Sequence, residues 1–109
     1  MPRKHTVDEF KEAVDHLRTV CPSPRGTKVT FKRVSQEDLG ESLGDCDKYR
    51  STFTVRISRD LSKDLMEWVL VHEMAHIYDW RPATPNDEPH GPTMGVYWSM
   101  VYQKFYGVK

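Results

Sequence analysis

The chain has 109 residues, enough for one domain with a modest core and too few for two. Sixteen basic and sixteen acidic residues cancel, which gives no electrostatic signature for strong nucleic-acid or membrane binding. Apolar content of 38% and charged content of 29% fit a soluble globular protein, and no apolar run could span a bilayer. Residues 1–20 are polar and amphipathic, unlike a signal peptide. Cys21 and Cys46 lack C-x-x-C spacing and read as free thiols, so a cytoplasmic protein is expected.

The first element is announced by Thr6-Val7-Asp8-Glu9, a capping box. Val7, Phe10, Ala13, Val14, Leu17 and Val20 follow at helical spacing and predict an amphipathic helix over 7–20. Pro22 to Gly26 form a turn. Val29 and Phe31, flanked by Thr27 and Arg33, predict a strand within 28–34. Residues 35–48 are polar, contain Gly40 and Gly44, and read as a loop. Tyr49, Phe53, Val55 and Ile57 alternate with Arg50, Thr52, Thr54 and Arg56, which predicts a half-buried strand over 49–58 whose edge could hold an extended peptide.

A mostly apolar helix is predicted over 62–79, with Ser62 as N-cap and Asp64 in its first turn. Residues 81–92, with four prolines and one glycine, read as a loop. A last helix starts near Pro92, carries a stripe of Val96, Tyr97, Met100, Val101, Lys104 and Phe105, and stops near Gly107. The expected fold class is α+β, a small single domain in the order helix, strand, strand, helix, helix.

The helix expected over 62–79 contains His72-Glu73-Met74-Ala75-His76, the pattern H-E-x-x-H. With five His and seven Glu, composition alone produces it in roughly 1% of such chains, so its setting must carry the weight. Histidines four residues apart on a helix lie one turn apart on one face and can reach one metal ion. Leu65, Trp68, Val69 and Ala75 share that face. Glu73 between them can act as general base toward a water on that metal. The bland alternative is two half-buried helix histidines, a costly arrangement when no metal is bound.

Catalytic zinc usually takes three protein ligands and leaves a fourth position open. His90 is the best candidate for the third, with Asp79, Asp87 and Glu88 as alternatives. The metzincin layout is excluded, because the position six residues after His76 is Pro82. Asp79, three residues after His76, is also placed to hold an imidazole or to stay solvated.

The H-E-x-x-H helix, a thirteen-residue gap, and then His90-Gly91-Pro92 before an apolar helix resemble the SprT-like metalloprotease family, to which the DNA-repair protease Spartan belongs. The resemblance covers about residues 57–106 and implies a small zincin-like fold, a catalytic core without the paired-cysteine zinc ribbon that many relatives carry. It implies one Zn2+ on His72, His76 and His90, with Glu73 as general base. It further implies hydrolysis of peptide bonds in protein substrates, DNA-associated proteins among them. Met94 stands where relatives often carry Phe, an apolar swap.

Zinc on three neutral histidines keeps a +2 charge and lowers the pKa of bound water toward neutrality. Tyr97 or Tyr102 could add a hydrogen bond to substrate, although tyrosines on an apolar stripe usually pack. Trp68, Trp80 and Trp98 read as buried, with Trp80 also able to line a cleft, and Met66, Met74, Met94 and Met100 read as core filler. His5 and His16 read as surface residues, as do the short basic clusters Arg3-Lys4 and Lys32-Arg33. The competing function is a non-catalytic, zinc-stabilised binding or regulatory module; an intact Glu73 argues against it, because a structural site has no use for a general base.

Overall fold

The computed structural model describes residues 3–80 and 92–107. The elements run α1 (Val7–Val20), β1 (Lys28–Val34), α2 (Gln36–Leu39), β2 (Gly44–Tyr49), β3 (Thr52–Ser58), α3 (Lys63–Tyr78) and α4 (Pro92–Tyr106). Among the described residues this is an α+β arrangement of four helices and a three-stranded mixed sheet. No helix among the described residues is long and apolar enough to cross a membrane.

Helix α1 begins at the expected capping box. The Thr6 hydroxyl accepts from the Glu9 N–H at 3.1 Å, and the Glu9 carboxylate accepts from the Thr6 N–H at 2.9 Å. Arg3 grips the same carboxylate through two nitrogens, at 2.9 and 3.1 Å, and helps to hold its pKa down to about 2. Phe10, Ala13, Val14 and Leu17 then face the core.

The expected loop over 35–48 instead contains α2 and strand β2. The sequence GDCDKY has no apolar alternation because β2 lies at the sheet edge, where three of its six residues are exposed and none is fully buried. Gly44 matters there for space. A Cβ on it would lie 2.7 Å from Val69 Cγ1 and 2.8 Å from the Arg56 carbonyl oxygen, so only glycine lets β2 approach both α3 and β3 this closely. Tyr49 ends β2, and a tight turn at Arg50, whose φ is 57°, leads into β3. The expected order therefore gains a helix and a strand.

The sheet order is β1-β3-β2. β3 runs parallel to β1, with Val29 opposite Phe53 and Phe31 opposite Val55, and antiparallel to β2, with Gly44 opposite Ile57 and Cys46 opposite Val55. β3 is thus paired on both sides, and the edge expected of residues 49–58 is not open. Among the described residues, the outer edges of the sheet belong to β1 and β2. Val29, Phe53, Val55 and Ile57 point into the core, while Lys28, Lys32, Thr54 and Arg56 alternate to the polar face.

Helix α3 starts at Ser62, whose hydroxyl accepts from the Leu65 N–H, and lies between the sheet, α1 and α4. Helix α4 buries Met94, Val101 and Phe105 and half-buries Tyr97, Trp98 and Met100, before Gly107 turns left-handed at φ 69°. Val96, expected in that stripe, is 68% exposed, and Lys104 also faces water. The large rings of Tyr97 and Trp98 take the inward positions instead, against Tyr78 and Trp68 of α3.

One histidine, His5, differs from expectation, while His16 is exposed as expected. His5 is only 3% exposed: its Nδ1–H donates to the Leu61 carbonyl at 2.6 Å and its Nε2 accepts from Arg33 Nε at 3.0 Å. This pins the segment before α1 to the loop before α3. His16 donates to the Phe105 carbonyl and packs edge-on against the Phe105 ring, satisfying an end carbonyl of α4. Both thiols are free, with Cys21 buried and Cys46 half-buried.

Gly44→Ala is expected to destabilise the protein by on the order of 1–3 kcal/mol, because one of the two clashing atoms is backbone and cannot turn away. Thermal denaturation of the variant measures it; an unchanged Tm would mean that β2 does not sit this close to α3.

Candidate metal centre

Helix α3 is apolar on almost every side. Met66, Leu70, Val71, Met74 and Ile77 are all buried, and so is Glu73, at 6% exposure. At about 100° per residue, Trp68, His72 and His76 fall on one strip, and Glu73 lies on its flank toward the sheet. Here the helix surfaces: His72 and His76 are half-buried, and Trp68 is 41% exposed. The sheet covers one flank of the strip through Val69 against Gly44, and α4 covers the other through Trp98.

The Nε2 atoms of His72 and His76 lie 3.1 Å apart. Together with a Glu73 carboxylate oxygen, their ligand atoms fall within 4.8 Å of one another, and this group could hold a metal ion. The separation fits that use. With Zn–N bonds of about 2.0–2.1 Å, two tetrahedral ligand nitrogens stand about 3.3–3.4 Å apart, so 3.1 Å requires only a small adjustment. Ring contacts hold His72 in place. Trp68 is stacked on it at 5.5 Å with 14° between planes, and Trp98 and His76 meet it edge-on, each at 4.6 Å.

Glu73 sits in a low-dielectric place. Burial, assisted by the charge of Asp45 on β2, raises its carboxyl to about 7. A cation beside it would draw that value down again. Cys46, on the core-facing side of β2, is near enough to feel Glu73. Burial first, then the charges of Glu73, Asp47 and Asp45, push its thiol up to about 12, so it remains protonated at neutral pH. Asp45 itself is clamped by Arg56 on the neighbouring strand.

The other sequence candidates divide. Asp79 caps α3, its N–H bonding the Ala75 carbonyl at 3.0 Å. With Tyr78, Trp80, Thr93 and Tyr97 it lines a hollow of about 290 Å3 at the C-terminal end of α3. Tyr97 stacks on Tyr78 with centroids 6.2 Å apart, and Trp80 stays 40% exposed with its ring edge-on to Phe53. Tyr102 is exposed farther along α4. His90, Asp87 and Glu88 lie outside the described residues. Sequence reading missed Asp45 and Cys46, because β2 carries no periodic signal, and it took Trp68 for a buried ring.

The pH dependence of the metal-free protein reports on Glu73. Its folded pKa, about 7, lies above the ordinary 4.5, so its protonated form stabilises the fold below pH 4.5 and that contribution is lost as pH rises through 7. Chelator-treated wild type should therefore lose on the order of a few kcal/mol relative to Glu73→Gln between pH 4.5 and 8. Denaturant unfolding across that range measures the difference; parallel curves would mean that Glu73 is solvated. Searched against known proteins, the chain matches no family model, no curated protein and no solved structure.

Proposed function

We propose that this protein is a zinc-dependent endopeptidase with the site layout of the SprT-like metalloproteases. The observation that carries the reading is the pair of Nε2 atoms 3.1 Å apart on one turn of α3, with the Glu73 carboxylate in the same group. His90 is proposed as the third ligand, completing a three-histidine site with an open fourth position. When bound, zinc supplies a Lewis acid that acidifies a water and polarises the substrate carbonyl.

The chain's own groups account for the rest. Glu73, desolvated and elevated in basicity, accepts the proton of the attacking water and passes it to the leaving amine. Trp68, stacked on the His72 ring, and Trp98, edge-on to it, hold that ring in place. The free edge of β2 flanks the strip of α3 that carries the histidines, so an extended substrate pairs there and not on β3, whose two edges are both occupied. Protein chains in extended conformation are the substrate class that this geometry accepts, and DNA-associated proteins are the class that the SprT-like resemblance suggests. A zinc-stabilised binding module would have no reason to bury a carboxylate beside the ligands.

Glu73→Gln should keep its zinc and lose about 10²–10⁴-fold in turnover of an unfolded protein substrate. Full turnover in that variant would remove Glu73 from the mechanism. His90→Ala should lose most of its metal, read by elemental analysis of protein purified without added zinc. Undiminished zinc there would move the third ligand to another residue.

A further inference from the structure

We infer that Trp68 and Trp98 form the wall of a side-chain subsite beside the metal group, one that takes a large apolar or aromatic side chain next to the scissile bond. The inference rests on the endopeptidase reading and names its substrate preference. Trp68 precedes His72 by one helical turn, and the two rings stack in parallel at 5.5 Å. Trp98, from α4, stands edge-on to Trp68 at 5.1 Å and to His72 at 4.6 Å. The two indoles and the imidazole thus make one continuous aromatic corner.

That corner is open. Trp68 leaves 41% of its surface in water, although α3 is otherwise closely buried. The exposure continues away from the histidines on both helices, to Leu65 at 39% on α3 and Tyr102 at 42% on α4. Contiguous exposed aromatic surface is unusual on a small domain and marks a place where an apolar group docks. Its continuity with His72 settles what that group is: a substrate held along the β2 edge crosses the α3 strip and presents alternate side chains toward the α4 side. No described acid faces the two indoles closely enough to be bonded to either ring, so a neutral apolar side chain fits the corner better than a cationic one.

Matched peptides that differ only at one position, bearing Phe, Leu, Lys or Ala, test the inference with zinc-loaded wild type and Trp68→Ala. Wild type should favour Phe or Leu over Ala by at least about tenfold in kcat/KM at one position beside the cleaved bond, and Trp68→Ala should collapse that ratio toward one. Trp68→Phe should restore most of it. If Trp68 only props His72, Trp68→Ala lowers zinc affinity and slows every peptide equally, the ratio stands, and the subsite is overturned. A preference for Lys would overturn its apolar character. Binding separates this inference from the endopeptidase reading. Zinc-loaded Glu73→Gln should bind the Phe peptide at least about tenfold more tightly than the Ala peptide, and the added Trp68→Ala change should erase the difference. Cleavage absent in wild type alongside that binding difference would sink the peptidase and keep the subsite; equal binding of all peptides would sink the subsite alone.

Discussion

The structure depends on one constraint: α3 must be buried on nearly all sides and still bring two histidines to the surface. Met66, Leu70, Val71, Met74 and Ile77 anchor it against the sheet, α1 and α4. Each such side chain contributes about 1.5–3 kcal/mol on leaving water, on the order of 10 kcal/mol together. Desolvating one carboxyl costs a few kcal/mol, much less than that, so the helix can carry Glu73 into the interior. A surface helix with the same H-E-x-x-H spacing would leave the carboxylate hydrated and weakly basic. Burial thus links the packing of α3 to its chemistry.

The same constraint fixes the shape of the site. β2 closes on Val69 through Gly44, and α4 closes on Trp68 and His72 through Trp98, and the strip of α3 that carries the histidines lies between them. Among the described residues, it is flanked by the outer edge of β2 on one side and an aromatic corner on the other. The histidines are oriented by rings and by each other, a geometry that holds the Nε2 pair at 3.1 Å before any ion arrives.

Much of this was legible in the sequence. The capping box set the start of α1, Ser62 set the start of α3, and the H-E-x-x-H spacing brought together His72, Glu73 and His76, a group that could hold a metal ion. These are local signals, settled within a turn or two of helix. What was not legible depends on distant partners. β2 is a polar edge strand whose pairing is defined by β3 and whose fit is defined by Gly44 against Val69, so nothing in GDCDKY announces it. His5 looked like part of a basic tail until Arg33 and the Leu61 carbonyl supplied its two bonds. Tyr97, Met100, Val101 and Phe105 of the α4 stripe turn inward as expected; Val96 and Lys104 face water instead, and Trp98 takes an inward place against Trp68 of α3, which periodicity within α4 does not reveal. Trp68 was read as core by residue type, but His72 and Trp98 cover only part of its ring and 41% of the residue stays in water.

The central claim is that the α3 histidines form a zinc site. Zinc titration of chelator-treated protein, followed by calorimetry in wild type and in the His72→Ala/His76→Ala double variant, tests it most directly. One equivalent bound tightly by wild type, and none by a double variant that retains its fold, is the expected result. Equal binding by both proteins, or none by folded wild type, would contradict the account and leave the histidine pair as part of the aromatic packing between α3 and α4.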